Sequence, residues 1–174
     1  MIVLLSGWSG AGKDAAAALL VDEMNFVRLA FADALKMIVS KAMDIPLNYF
    51  HDRELKDEIV PGYHLTPRQL LLDHAREARV SDPDIYSRQI VENIRRYPDR
   101  YVISDWRYRR EYEFLKTELP GIRILRTRIV RPTVIPSADL TEHDLDNEKF
   151  DFTINNEGSI SDLRDALRGC LRTL

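Results

Sequence analysis

The sequence predicts a three-layer α/β/α protein, in which helices cover both faces of a doubly wound parallel sheet. Three observations favour this fold class. Short β-rich runs alternate with helical runs along the chain, as in proteins built from parallel strands and crossover helices. The first run, Ile2 to Leu5, is apolar throughout, which is typical of a strand buried on both faces. The length of 174 residues fits one domain, spanning residues 1–174.

The first half of the chain is interpreted from apolar runs and helix signals. It should contain a strand at 2–5, a helix at 13–24, a strand at 26–29 and a helix at 31–43. Residues 44–65 hold several Pro and Gly breakers and are expected to be irregular. Thr66 followed by Pro67 predicts a helix start, because threonine caps the first turn and proline fits the first helical position.

In the second half, the Asp82-Pro83-Asp84 breaker precedes a helix that carries Ile90 and Ile94 on one face. The remaining expected elements are a strand at 101–105, a helix at 111–119, a strand at 122–130, a strand at 150–154 and a helix at 159–171. The last helix has one apolar stripe, formed by Ile160, Leu163, Leu167 and Cys170. We therefore expect Cys170 to be a core thiol rather than a reactive one.

Composition argues against several classes of protein. The 25 Lys+Arg and 28 Asp+Glu residues give a net charge of −3, which argues against broad nucleic-acid binding but allows a local basic pocket. No apolar run approaches the roughly 20 residues of a membrane span, and residues 1–6 carry no basic leader. The single cysteine fits a reducing compartment. We expect a cytoplasmic protein without a nucleic-acid or membrane partner.

The strongest motif lies between the first strand and the first helix. Residues 7–14 read GWSGAGKD, which matches G-x-x-x-x-G-K and differs from the usual form only in its last residue. Glycines let successive main-chain N–H groups surround phosphate oxygens, and the helix N-terminus adds a positive dipole. Lys13 can reach the β and γ phosphates of a nucleotide. The residues expected to bind the nucleotide here are Gly7, Gly10, Ala11, Gly12, Lys13 and Asp14.

Two aspartates are candidate ligands for Mg²⁺. Asp14 replaces the usual Ser or Thr, and it either holds the metal or only complements the helix dipole. Asp105 ends an apolar strand at the position where acids in doubly wound sheets organise a metal, and the alternative is a helix N-cap. Among the arginines that follow, Arg107 is the candidate for a phosphate contact because it lies nearest to the strand end.

A second group of arginines follows along the strand at 122–130. Alternation places Arg126 and Arg128 on one face, and because buried parallel strands seldom carry such charges, we expect this strand to run out of the sheet into a lid. Residues 131–149 have few large apolar side chains and are expected to form a mobile loop or lid. Arg128 and Arg131 are the candidate catalytic arginines, since phosphoryl transfer spreads negative charge over oxygens.

Polar residues near helix starts are candidates for an acceptor pocket. Asp33 and Lys36 share one helix face, and Arg68 and Gln69 lie in the first turn of the helix that Thr66 begins. An exposed helix face is the alternative for each of these residues. The four histidines lack metal-ligand spacing, and no nucleophile or zinc motif is present, so we expect direct in-line transfer.

Taken together, these motifs resemble the deoxynucleoside monophosphate kinases of viral and phage type, within the P-loop kinase superfamily. The matching segments are LSG and GKD in the first loop, FADALK at 31–36, TPRQLL at 66–71, DPDIY at 82–86, VISDWR at 102–107 and FDFTINNEGS at 150–159. The resemblance therefore covers most of the chain. It departs where a threonine often follows the loop aspartate, because this chain has Ala15.

The resemblance implies a three-part enzyme that transfers the γ-phosphate of ATP to a deoxynucleoside monophosphate with Mg²⁺. It implies an acceptor-binding segment at about 31–98 and a lid at about 126–149. The acceptor site would include Asp33, Lys36, Arg68, Gln69, Asp105 and Arg107. Asn155 and Gly158 would lie against the donor adenine. The resemblance is also compatible with a homodimer and with a viral source, in which case the enzyme would act in the host cytoplasm.

Other interpretations share part of this pattern. Animal-type phosphomevalonate kinases also have a G-K-D loop and a Ser-Asp-x-Arg strand end, and dephospho-CoA kinases share the Asn-x-Gly-Ser ending. The TPRQLL segment favours the nucleotide enzyme. A non-catalytic ATP-binding switch is the alternative from another functional class.

Overall fold

Five parallel strands form the sheet of this computed structural model, which describes residues 1–52, 54–135 and 143–172. The strands are β1 (Ile2–Ser6), β2 (Val27–Leu29), β3 (Tyr101–Ile103), β4 (Ile124–Val130) and β5 (Phe152–Asn155). Their order in the sheet is β2-β3-β1-β4-β5. Leu4 pairs with Ile103 on one side of β1, and Ser6 pairs with Arg128 on the other. The carboxyl ends of all five strands therefore meet at one edge.

The helices mostly follow the bounds expected from the sequence. They are α1 (Lys13–Met24), α2 (Phe31–Met43), α3 (Asn48–His51), α4 (Pro67–Ser81), α5 (Ile85–Arg96), α6 (Arg109–Glu118) and α7 (Ile160–Arg172), with a 3-10 turn at Leu55–Asp57. The ends of several elements differ from the expected ends by one or two residues, and α3 and the 3-10 turn lie in the segment 44–65 that was expected to be irregular. Thr66 forms the expected N-cap of α4, where its Oγ1 accepts the N–H of Gln69.

The chain divides into two compact units. The first is made of Met1–Ala30 and Ile90–Leu174 and holds the whole sheet, whereas the second is Phe31–Gln89. The bounds of the second unit are close to those of the expected acceptor-binding segment, about 31–98. Within it, α2 and α3 contact α4, and the Tyr63 hydroxyl donates to the carbonyl of Met43 at 2.5 Å.

Helices cover both faces of the sheet, which confirms the three-layer fold class. On one face α1 packs against α7 over a core that includes Leu5, Leu20 and Ile129. By strand alternation, Leu4 and Ile103 point to the opposite face. Trp106 and Leu115 are buried outside the first cluster, at and after the end of β3.

The apolar stripe of α7 is confirmed in part. Leu163 and Leu167 are buried, and Cys170 packs against the same core, where burial raises the pKa of its thiol. The prediction that Ile160 belongs to this buried stripe is wrong, because Ile160 is the first residue of α7 and its side chain is 53% exposed. Within the described residues, no helix has the length and apolarity required to cross a membrane.

The expectation that the arginine-bearing strand leaves the sheet is wrong. β4 lies between β1 and β5 and pairs with both. Leu125 and Ile129 face the core of α1 and α7, so Arg126 and Arg128 share the opposite face. The prediction that Arg126 and Arg128 lie on one face of the strand is confirmed.

Residues 143–151, here called the acidic strap, explain how β4 tolerates these charges. Arg126 forms ion pairs with Asp151 at 3.1 Å and with Glu148 at 3.5 Å. Arg128 pairs with Asp146 at 2.9 Å. Buried arginines are tolerated when carboxylates and hydrogen bonds compensate them.

The strap is also attached to α6 and to the core. Asp144 accepts the N–H of Arg109 at 2.8 Å, and Glu148 pairs with the side chain of Arg109 at 2.9 Å. Leu145 is buried, and Phe150 packs edge-on against Trp106 with ring centroids 5.8 Å apart. The expected mobile lid over residues 131–149 stays a prediction, and residues 143–149 of that segment make these contacts in the structure. Residues 136–142 of that segment lie outside the described part of the chain.

The ion pair of Arg126 and Asp151 predicts a loss of stability in acid. Partial burial alone would raise the pKa of Asp151, but the hydrogen bonds and charge of Arg126 outweigh it and hold that pKa below its ordinary value. A carboxyl group whose pKa is lower in the folded than in the unfolded state stabilises the fold above the unfolded pKa. That contribution is lost as pH falls through the folded pKa. We expect Asp151→Asn to reduce the acid-induced loss by about 0.5–1 kcal/mol.

Urea unfolding of the wild type and of Asp151→Asn, at pH 6 and at pH 3, measures this effect. The matched control is Asp165→Asn, at an exposed aspartate of α7. If both variants lose as much unfolding free energy between pH 6 and pH 3 as the wild type does, the ion pair does not contribute to the pH dependence of stability, and the prediction is wrong.

Candidate functional site

The turn from β1 into α1 requires glycine at three positions. Gly7, Gly10 and Gly12 have φ values of 142°, 82° and 105°, which disfavour residues with side chains. A Cβ at Gly7 would also lie 2.3 Å from the carbonyl oxygen of Ile129. The turn therefore favours glycine at these positions, as expected of a phosphate-binding loop.

The carbonyl groups of this turn are engaged by nearby donors. Lys13 donates from Nζ to the carbonyl of Gly7 at 2.6 Å and to that of Trp8 at 2.9 Å. The N–H of Ala11 also donates to Trp8 O at 3.1 Å. Lys13 thus lies bent over the loop to which it belongs, with its ammonium group at the turn.

The N-terminus of α1 opens directly from this loop. Gly12 is the N-cap in a left-handed conformation and, as a glycine, has no side chain to cap the helix. Uncapped N–H groups at a helix N-terminus, together with the helix dipole, form a site for an anion. Asp14 is exposed in the first turn of α1. Ala11 is buried beneath the loop.

The second candidate metal ligand lies at the same edge of the sheet. Asp105 is half-buried and follows β3, which is the neighbour of β1. Because β3 pairs with β1 in parallel up to Leu4 and Ile103, Asp105 lies at the edge of the sheet where the loop after β1 begins. Within the described residues, no group of three or more acidic, His or Cys side chains could hold a metal by itself.

Arg107 follows Asp105 and is exposed. Its main-chain N–H donates to Glu111 Oε2 at 3.1 Å, and the N–H of Tyr108 donates to the same oxygen at 3.1 Å. Glu111 therefore fixes the backbone at the start of α6. This contact holds the segment that carries Arg107 next to the end of β3.

Arg128 lies at the base of the phosphate-binding loop. Its guanidinium group is 3.5 Å from Ser6 Oγ, stands over the Trp8 ring with 5.6 Å to the centroid, and pairs with Asp146. Asp146 also contacts His143 Nδ1 at 2.7 Å. Partial burial would raise the pKa of Asp146, but His143 and Arg128 hold it below its ordinary value.

The turn after β5 brings further predicted residues to this edge. Asn155 is exposed at the end of β5 and pairs in register with Val130. Gly158 leaves space at the start of α7, because a Cβ there would lie 2.4 Å from Asp162 Oδ2 and the Asp162 side chain would have to shift. That oxygen accepts both the N–H and the hydroxyl of Ser159. Gly158 thus makes room for the N-terminal cap of α7.

The residue that sequence reasoning missed is Asn156. It is 4% exposed, and its Nδ2 donates to the carbonyl of Ala11 at 2.8 Å. Its own carbonyl accepts from Arg131 Nε at 3.0 Å. The sequence signals for it are its place directly after a strand and the Asn-x-Gly-Ser ending, whose asparagine is Asn156.

In the second unit, Lys36 lies between two side chains. Its Nζ is 3.5 Å from Asp33 Oδ1 and 3.4 Å from His51 Nδ1. The predicted sharing of one helix face by Asp33 and Lys36 is therefore confirmed. His51, which sequence reasoning left without a role, adds a second polar neighbour to Lys36.

Arg68 and Gln69 already have partners in the same unit. Arg68 forms a two-point contact with Asp57, at 2.6 Å from Nε and 3.2 Å from Nη2. The hydrogen bond from Arg68 is the main cause that holds the pKa of Asp57 below its ordinary value. Gln69 accepts the N–H of Thr66 at 2.9 Å through Oε1, so this oxygen belongs to the cap of α4.

Comparison with known proteins supports the fold but gives no close relative. No protein-family model matches the chain, and no curated protein matches it. Among solved structures, a Thermus thermophilus protein matches with a TM-score of 0.55 at 18% identity, over 100% of this chain and 97% of its own. Shikimate kinase from Aquifex aeolicus has a TM-score of 0.52 at 10% identity, with coverage of 99% and 96%.

A gluconokinase from Sinorhizobium meliloti has a TM-score of 0.52 at 15% identity, over 98% of this chain and 91% of its own. The chain has the fold of the P-loop kinases. Identities this low establish the fold and leave substrate and activity to be argued from the residues.

The close approach of Asn156 to the loop predicts an unusually costly substitution. A Cβ at Gly12 would lie 2.2 Å from Asn156 Nδ2, in addition to the strain of its positive φ. Gly121 has a φ of 89°, and nothing lies within 4 Å of the Cβ position there. Gly12→Ala should therefore cost about 1–3 kcal/mol more than Gly121→Ala in urea unfolding. Equal costs would show that the loop can move away from Asn156.

Proposed function

We propose that this protein is a kinase that transfers the γ-phosphoryl group of ATP to a small phosphorylated acceptor, a deoxynucleoside 5′-monophosphate. The observation that carries the proposal is the loop of residues 7–13. Its three positive-φ glycines, the uncapped N-terminus of α1 and the ammonium group of Lys13 converge on one turn. Such a turn supplies main-chain N–H groups and a positive charge to a polyphosphate.

The acceptor class is argued from the second unit and from the family resemblance. Lys36 and Arg68 are cations at helix faces of this unit, and Asp33 and Gln69 add hydrogen-bonding groups to the same elements. A nucleoside monophosphate needs cations for its phosphate and polar groups for its base edge. The segments FADALK and TPRQLL place these residue types as in deoxynucleoside monophosphate kinases.

The residues at the edge of the sheet fit a magnesium–nucleotide complex. Mg²⁺ keeps several water ligands and is usually bound by one or two carboxylates together with substrate phosphates. Asp14 in the first turn of α1 and Asp105 after β3 are the two carboxylates that would hold it. The bound cation would neutralise the charge that develops on the transferring group.

The protein's own contribution is to position the phosphates and to balance charge. The bond from an acceptor phosphate oxygen to the γ-phosphorus forms as the bond between that phosphorus and the β–γ bridging oxygen breaks, which releases ADP. Lys13 would move from the carbonyls of Gly7 and Trp8 to the phosphates. Arg107, Arg128 and Arg131 are the cations proposed to stabilise the transferring group, from the segment after β3 and from the end of β4.

An acceptor panel tests the proposal. The intact protein would be incubated with ATP and Mg²⁺ and with one acceptor at a time, and ADP release would be followed by a coupled assay. The acceptors are the four deoxynucleoside monophosphates, their ribose counterparts, phosphomevalonate and dephospho-CoA. Release with a deoxynucleotide supports the proposal. Release only with another acceptor assigns a different small-molecule kinase, and ATP binding without release from any acceptor assigns a nucleotide-binding switch.

We expect Lys13→Ala to lower kcat by about 10²–10³-fold, because the variant lacks the positive charge at the transferring phosphate. The fold should survive with a loss of about 1 kcal/mol, since only two hydrogen bonds to the loop carbonyls disappear. Lys41→Ala, at an exposed lysine of α2, is the control. Steady-state kinetics and urea unfolding measure the two effects. Retention of most of the activity would contradict the proposed phosphate loop.

We expect Arg68→Ala to raise KM for the acceptor about tenfold or more while KM for ATP stays constant, because charge-assisted hydrogen bonds to phosphate contribute to acceptor binding. Arg76→Ala is a matched control, because Arg76 also lies on α4 and is paired with an aspartate at 3.7 Å. If Arg68→Ala lowers stability and leaves both KM values unchanged, then Arg68 serves only to hold Asp57.

A further inference from the structure

The turn after β5 holds a buried amide side chain, that of Asn156, which the proposed reaction does not use. Three hydrogen bonds fix this residue. Its main-chain N–H donates to Val130 O at 2.7 Å, its carbonyl accepts from Arg131 Nε at 3.0 Å, and its Nδ2 donates to Ala11 O at 2.8 Å. The first two bonds attach the residue to the end of β4. The third reaches from this fixed position into the phosphate-binding loop.

The contact with Ala11 determines the orientation of one peptide unit of the loop. The carbonyl of Ala11 and the N–H of Gly12 belong to the same peptide group, and no peptide bond in the described residues is cis. In a trans peptide the carbonyl and the N–H point in opposite directions. A carbonyl held toward Asn156 therefore holds the Gly12 N–H away from it.

The fit at Gly12 supports the same geometry from a second side. The hydrogen in place of a side chain at Gly12 leaves room for Asn156 Nδ2, which would lie 2.2 Å from a Cβ there. Gly12 and Asn156 are thus matched in space, although 143 residues separate them in the chain. A longer side chain than asparagine would not fit, and a carboxylate could not donate to the carbonyl.

We propose that Asn156 is a positioning residue, which holds the Ala11–Gly12 peptide so that its N–H faces a bound polyphosphate. The ligand in this inference rests on the proposed function, whereas the contact itself is part of the fold. Asn156 acts through the loop and touches neither phosphate nor acceptor. Its loss should therefore weaken binding of the polyphosphate and leave binding of the acceptor unchanged.

The test uses the full chain and two variants, Asn156→Ala and Asn156→Asp, the second of which keeps the size of the side chain but removes the donor. Calorimetric titration with magnesium tripolyphosphate, and separately with ATP and Mg²⁺, measures the affinity for the phosphate chain. We expect the dissociation constants to rise about 10- to 100-fold in both variants. In steady-state kinetics KM for ATP should rise and KM for the acceptor should stay constant. Glu157→Gln, at the exposed neighbour, should bind as the wild type does.

The outcomes separate this inference from the proposed function. If the wild type binds neither tripolyphosphate nor ATP, the proposed function is overturned and the inference with it. If the wild type binds and the folded Asn156 variants bind equally well, only the inference is overturned, and Asn156 is then a packing residue that affects urea unfolding alone.

If neither variant folds, the inference is tested on the wild-type protein. NMR would measure hydrogen exchange of the Asn156 side-chain NH₂ with and without tripolyphosphate. Exchange at least about 100-fold slower than that of the exposed Asn155, and slower still with tripolyphosphate, supports the inference. Equal exchange at the two residues overturns it.

Discussion

The turn between β1 and α1 is the constraint on which the rest of the structure depends. When a loop turns its N–H groups toward a ligand, its carbonyls face the protein and need donors there. Gly7 O and Trp8 O accept from Lys13, and Ala11 O accepts from Asn156. The donors thus come from the first residue of α1 and from the turn after β5. On the protein side the loop is thus held by a turn whose Asn156 lies 145 positions after Ala11 in the chain.

The same requirement for compensation explains the charges of β4. A strand in the middle of a sheet can carry arginine only if carboxylates and ring faces replace water around the guanidinium group. Arg126 pairs with Asp151 and Glu148, and its guanidinium carbon lies 4.8 Å from the centroid of the Tyr112 ring. Arg128 pairs with Asp146 and lies over the Phe150 ring. The acidic strap therefore supplies the carboxylates that compensate the two arginines on that face of the sheet.

Local signals allowed most of the elements to be predicted, because caps, breakers and periodicity act within a few residues. The start of α4 is an example, since Thr66, Pro67 and Gln69 together specify a capped first turn. The glycines of the loop were predictable for the same reason. The motif fixes their spacing, and their conformations follow from the turn.

The remaining features depend on contacts between distant segments, which a single sequence does not encode visibly. Asn155 and Asn156 are identical residues, and only the pleat at the end of β5 decides that the second one is buried. Gly158 fits the pattern of a ligand loop, but its lack of a side chain is explained by the approach of Asp162. Glu148 and Asp146, which pair with Arg126 and Arg128, lie in a segment whose charges predicted a lid when the segment was considered alone.

These ion pairs also bear on whether the protein is a kinase or a nucleotide-binding switch. The number of arginines near the strand ends favoured a kinase at the level of sequence, because a transition state with spread negative charge needs cations. Arg126, however, is balanced by Asp151 and Glu148, and Arg128 is balanced by Asp146. Because the fold also accounts for these two arginines, their presence does not by itself favour a kinase. The residues that would distinguish a kinase from a switch are therefore those of the second unit. A switch requires a nucleotide site and a responsive surface, whereas a kinase also requires a place for an acceptor phosphate. Lys36 and Arg68 are the cations that this unit could contribute, and each would have to exchange its present carboxylate partner, Asp33 or Asp57, for that phosphate.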